Sequence, residues 1–151
     1  MTEVKFGKYK FKTEERNNKE FIFDEVRKIW VVLTPEEWVR QHVLHYLIHS
    51  KRFSPGLIAV ERGIDLNGLQ KRFDVAVFGT DGKPKMIVEC KAPEEKLDEK
   101  VFEQIARYNL SLRVDYLWVS NGHYNFCCKL INGIELLDAV PSAAEVFSNT
   151  Q

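Results

Sequence analysis

Cysteine is scarce: three in 151 residues, two of them adjacent at Cys127-Cys128. An odd number with no CxxC and no Cys–His spacing excludes a disulfide framework or a zinc ribbon and points to reduced thiols in a cytoplasmic protein. No sign of charge dominates, since 22 basic and 22 acidic residues cancel, so any nucleic-acid contact must come from a local patch. No apolar run approaches the ~18 residues of a membrane span. The start, "MTEVKFGKYKFK", lacks a signal-peptide core, and no membrane partner is expected. There is no P-loop, internal repeat, low-complexity stretch or linker. What is present, 44% hydrophobic and 29% charged residues, suits one domain over residues 1–151 that buries roughly two thirds of its unfolded surface.

The first 33 residues read as a β extension. "KYKFK" (8–12) and "EFIFD" (20–24) alternate around the turn signal Asn17-Asn18, predicting a hairpin. Its lysines Lys8, Lys10 and Lys12 fit a guarded sheet edge better than phosphate contact. "KIWVVLT" follows, and Thr34-Pro35-Glu36-Glu37 opens a helix to about Ser50, with Thr34 at the N-cap and Glu37 completing a capping box. Three strand-like runs come next, 57–66, 72–79 and 85–91, then a helix over 94–113 and a strand at "VDYLWVSN". Asn121-Gly122 and Asn132-Gly133 bracket "HYNFCCKLI" as hairpin turns, and "SAAEVF" forms a last short helix. The order predicts an α/β (α+β) core, αβββαβ over 34–122, with a mixed sheet flanked by helices and an appended hairpin and helix at 123–151.

Charged residues interrupt the apolar stretch "RFDVAVFGTDGKPKMIVECKAP". A loop centred on Asp81-Gly82 pairs Gly79 with Pro84 and, counting outward, Asp74 with Glu89. Alternation puts Phe73, Val75, Val77, Met86, Val88 and Cys90 on one face. The other carries Asp74, Ala76, Phe78, Lys85, Ile87, Glu89 and Lys91. Opposed carboxylates about 5 Å apart at Cβ destabilise a ladder unless a cation or proton lies between them. Lys91 can serve, but a hard divalent ion such as Mg²⁺ or Mn²⁺ suits two convergent carboxylates better and leaves Lys91 for a water and a phosphate. A wet ribbon with an ordinary surface pair is the competing reading. On the following helix, Gln104 and Tyr108 fall on the stripe of Val101 and Leu112, which aims an amide at the sheet.

Asp74, Glu89-x-Lys91 and Gln104-x-x-x-Tyr108 in this order resemble the PD-(D/E)xK phosphodiesterase superfamily. "TPEEWVRQ", "KRFDVAVF", "IVECKAP" and "QIARYN" together resemble the N-terminal nuclease domain of type I restriction enzyme R subunits, over about residues 30–122. The resemblance implies a restriction-endonuclease-like core and Mg²⁺-dependent hydrolysis of a DNA backbone. Asp74, Glu89 and the Cys90 carbonyl would be metal ligands, Lys91 the catalytic lysine, and Gln104 and Tyr108 supporting residues. Phe73 stands where the superfamily name has proline. The helicase motor of R subunits has no counterpart, which implies a standalone nuclease or a non-catalytic nucleic-acid-binding or assembly module that keeps the fold.

Other residues have competing readings. Glu37 resembles the first-helix glutamate of relatives, although the capping box explains it. Arg40 fits an i, i+4 pair with Glu36. Lys71 and Arg72 are candidates for phosphate contact or a solvated strand end. Glu61, mid-strand in an apolar context, reads equally as an approach to the site from the neighbouring strand or as an ordinary surface position. His42, His45 and His49 form a helical stripe with no third ligand visible in the sequence, so no zinc site is expected there. Cys127 and Cys128 point to opposite faces. Two scissions for a double-strand cut fit a homodimer or a protein partner that supplies targeting, but no interface signature is visible.

Overall fold

Asn17 and Asn18 both take left-handed backbone, φ 51° and 65°, and close the predicted hairpin between β1 (Thr13–Arg16) and β2 (Lys19–Asp24). Residues 1–66 and 68–148 are described by a computed structural model. The first strand starts at Thr13 rather than Lys8, although Phe23 N–H still donates to Lys12 O. β3 (Ile29–Val32) pairs with β2 and completes a three-stranded antiparallel sheet.

α1 (Pro35–His45) begins where Thr34 Oγ1 accepts the Glu37 N–H, with proline in the first turn. It passes at Tyr46 into a π-helical turn that runs to Ser50. The second sheet has six strands in sequence order: β4 (Ile58–Leu66), β5 (Leu69–Phe78), β6 (Pro84–Cys90), β7 (Tyr116–Ser120), β8 (Asn125–Lys129) and β9 (Glu135–Leu137). All neighbours are antiparallel except β6 and β7, whose parallel crossover carries α2 (Glu99–Asn109). α2 starts at Glu99 rather than Glu94 because Asp98 is its N-cap. α3 (Ala143–Ser148) closes the described chain. The predicted αβββαβ order and mixed sheet are present. No helix among the described residues is long and apolar enough to cross a membrane.

Helices cover both faces of the large sheet. Val39, Val43 and Leu47 pack on Val75, Val77, Met86, Val88 and Trp118. On the other side Phe102, Ala106 and Leu112 pack on Ala76, Ile87, Leu117 and Phe126. Cys127 and Cys128 fall into opposite layers, as strand alternation requires. Phe73 does not follow its predicted face: it packs in the α2 layer, whereas Val75 is in the α1 layer. Asp74 lies at the break. Opposite it on β4, Glu61 adopts φ 50° between the paired residues Val60 and Arg62, and a non-glycine residue in this region interrupts strand alternation at a conformational cost.

Candidate active site

The β5–β6 ladder pairs Val77 with Met86, Ala76 with Ile87 and Val75 with Val88. That is the predicted register, except for a shift that sets Phe78 against Pro84. The paired ladder ends at Val75 and Val88, one position short of the predicted Asp74–Glu89 pair. There the side chain of Asp74 takes over from the backbone, its Oδ2 accepting the Cys90 N–H at 2.8 Å. Asp74 is thereby tied to the residue between Glu89 and Lys91.

α1 delivers Glu36, Glu37, Arg40 and Gln41 to the same end of the sheet. Arg40 is buried and Nη2 lies 3.1 Å from Asp74 Oδ1, 3.0 Å from Glu36 and 3.1 Å from Glu61, with Nη1 2.7 Å from Glu37. The expected Glu36 pair exists, but it is one contact of four. Burial works against the Arg40 charge, yet Glu37, Glu61 and Asp74 outweigh it and raise its pKa. Burial raises the Glu36 carboxyl, helped by the Asp74 charge.

Glu37 is buried, and its carboxylate does not close a capping box. It accepts from Arg40 and, at 3.1 Å, from Gln41 Nε2, while the Thr34 N–H donates to Val32 O. Behind it, Arg27 joins Asp24 at 2.9 Å and Glu61 at 3.4 Å. The Gln41 side-chain oxygen is buried without a hydrogen-bond partner. The end of the sheet is thus rich in acidic oxygens, and only some of their charge is met by two guanidinium groups.

Glu89 and Lys91 face a different set of neighbours. Lys91 Nζ stands 3.8 Å from Glu89 and 3.7 Å from Glu95, and the Lys91 backbone N–H donates to Ser120 O. Lys71 reaches toward this group from β5. Burial lowers its pKa and the Glu89 charge partly restores it. Its Nζ bonds Asn109 Oδ1 at 3.1 Å and lies 4.2 Å from the Tyr108 ring centre, a cation–π contact. Arg72 is exposed, 3.6 Å from Glu61. The Cys90 thiol is driven well up in pKa by burial, so it stays a neutral core group.

Gln104 departs from the stripe read in the sequence. It is exposed, as is Tyr108, and the buried amide of α2 is Asn109, which donates to Ile105 O. The sequence reading also missed Arg40 as a hub, Arg27 and Asp24. The signal for Asp24 was its inward position at the end of an alternating strand.

Residues 35–141 match the family of the type I restriction enzyme R protein N terminus. Among solved structures, the chain resembles a fragment described as an HsdR subunit of a type I restriction enzyme from Vibrio vulnificus YJ016. The TM-score is 0.56 and the identity 22%, with 77% of this chain and 25% of that chain covered, so the protein spans about a quarter of that neighbour's length. At that identity the likeness concerns the fold. No curated protein matches. The chain belongs to the family of type I restriction enzyme R protein N termini.

Proposed function

We propose that this chain is a metal-dependent nuclease domain that hydrolyses phosphodiester bonds of nucleic acid, DNA foremost, with Mg²⁺ or Mn²⁺. One observation carries the reading: the Asp74 carboxylate, at the end of the β5–β6 ladder, grips the backbone of Cys90 between Glu89 and Lys91, joining two acids and an amine at one strand end. Asp74, Glu89 and the Cys90 carbonyl would hold the ion. These are hard oxygen donors, the class Mg²⁺ and Mn²⁺ select, and the surplus of carboxylates around them fits a cation. When bound, the ion supplies Lewis acidity at a phosphoryl oxygen and makes water more acidic.

The protein's own groups do the rest. Lys91 Nζ, only partly neutralised by Glu89 and Glu95, hydrogen-bonds the attacking water and stabilises charge developing on the scissile phosphate. Glu37 and Arg40 fix the position of Asp74. Gln104, Tyr108, Lys71 and Arg72 contact the nucleic-acid backbone, which positions the strand without reading its sequence. Buried free thiols at Cys90, Cys127 and Cys128 agree with a cytoplasmic setting. A second copy or a targeting partner would supply the second scission.

A second reading rests on Arg40, whose guanidinium already answers Asp74 Oδ1 at 3.1 Å; a non-catalytic nucleic-acid-binding or assembly module would keep such an internal cation. Cleavage of supercoiled plasmid, linear duplex, single-stranded DNA and RNA in Mg²⁺ or Mn²⁺ separates the two. Cutting that vanishes with EDTA and in a folded Lys91→Ala variant supports the nuclease. No cutting of any substrate, with no heat of Mg²⁺ or Mn²⁺ binding, leaves the binding module.

A further inference from the structure

The helical stripe of histidines acquires a partner that the sequence did not reveal. Glu25, in the turn after β2, places Oε1 3.2 Å from His45 Nε2 and Oε2 3.5 Å from His49 Nε2. One donor atom from each of the three lies within 4.8 Å of the others. Two donors bound at about 2.0–2.1 Å to a tetrahedral ion stand about 3.3 Å apart, and both Glu25–imidazole contacts fall at that spacing. We infer that Glu25, His45 and His49 form a binding site for a borderline divalent ion of the zinc class.

Several features make this more than a chance ion pair. His45 ends α1 and His49 lies inside the π turn Tyr46–Ser50, where Lys51 N–H bonds back to Tyr46 O, five residues earlier. Such wide turns recur at functional sites. His45 is buried, while His49 and Glu25 open to solvent, which gives an ion a path in. Aromatic rings fix the imidazoles: Phe11 sits 4.5 Å from the His45 ring and Tyr9 lies 5.2 Å from it. A cavity of about 200 Å³ lined by Lys10, Phe11, Lys12, Phe23, Glu25 and His45 adjoins the group. Its lysines weaken cation binding at long range, and the Glu25 carboxylate offsets them at contact distance.

His42 is not part of the set, since the donor atoms that converge are those of Glu25, His45 and His49. Two imidazoles and one carboxylate suit Zn²⁺ and its neighbours in the first transition row and are poor ligands for Mg²⁺. Three protein ligands leave a fourth position for water. The ion fastens the β2–β3 connection to the end of α1, and it is independent of the oxygen site at Asp74 and Glu89.

The test uses the tag-free full chain, stripped of metal and titrated with Co²⁺ by visible absorption and with Zn²⁺ by calorimetry, under excess Mg²⁺. The expected result is a single saturable equivalent with the bands of a low-coordinate Co²⁺ and a Zn²⁺-dependent rise in Tm. Loss of an outer-shell partner alone costs a metal site about 10- to 100-fold, so Glu25→Gln and His49→Ala should weaken binding at least about tenfold. Both positions are solvent-open, and circular dichroism checks that these variants fold. Asp74→Asn should bind as the parent does. Absence of saturable binding overturns the proposal. So does binding that survives Glu25→Gln and His49→Ala, or that disappears in Asp74→Asn.

Discussion

Arg40 touches four acids from a buried position, so its removal leaves buried Glu37 only the longer contact with Arg27 Nη2 at 3.6 Å. Breaking a buried pair from one side costs about 3–5 kcal/mol, and Arg40→Ala should lower denaturant-measured stability by that order. A loss below ~1 kcal/mol, the range of surface pairs, would mean that water already screens the cluster. Lys91 is partly exposed and meets Glu89 and Glu95 only at long range, so Lys91→Ala should leave the melting curve nearly unchanged while abolishing cleavage; a cutting variant removes Lys91 from the proposed chemistry. The β5–β6 register as far as Val75 and Val88 was legible because a hairpin's register can be counted from its turn. Gln104 was misread because Phe102 and Ala106, both fully buried, rotate the apolar arc of α2 and turn Gln104 outward. The third partner of His45 and His49 was invisible for another reason: Glu25 comes from a different element, and only tertiary packing brings it near.

At the scale of elements, the hairpin turns and the Thr34 cap followed the sequence, whereas the capping box at Glu37 did not form and the Asp98 cap went unread. The Thr34 side chain holds the first turn of α1 by accepting the Glu37 N–H, so Thr34→Ala should cost about 0.5–2 kcal/mol, measured by urea unfolding. Asp98 caps α2 by accepting the Val101 N–H, and that bond holds its carboxyl below the usual range. A depressed folded pKa means that the contribution is complete above the unfolded value near 4 and is lost as pH falls through the folded one. Unfolding curves of Asp98→Asn and the parent should therefore converge in acid; a gap that stays constant with pH would refute the assignment. What could not be read was irregularity inside strands. The left-handed backbone of Glu61 and the register shift after Val77 depend on long-range packing; the first lies opposite Asp74, beside the face change at Phe73.

For the molecule as a whole, the order of elements and both helical layers were visible in the hydrophobic periods, since each layer buries one phase of the strand alternation. Trp118 lies at the centre of the α1 layer, fully buried, with its indole N–H on Asn125 Oδ1 at 3.0 Å and its ring beside Tyr46 and Phe6. Trp118→Ala should cost about 3–5 kcal/mol in calorimetric or denaturant unfolding, and a smaller loss would show that the layer collapses into the space. Balanced charge gave no hint of where the acids gather, because composition does not record position.

The π turn at Tyr46–Ser50 also makes residue count a determinant of structure. A wide turn accommodates one more residue than an α-helical turn over the same axial span. Deleting one residue between His45 and His49 would turn the wide turn into an ordinary α-helical turn over the same span, so the chain after it, with Phe53 buried in the α1 layer, would keep its phase. His45 and His49 would then stand three residues apart instead of four. Such a deletion should spare the fold more than it spares the Glu25–His45–His49 group.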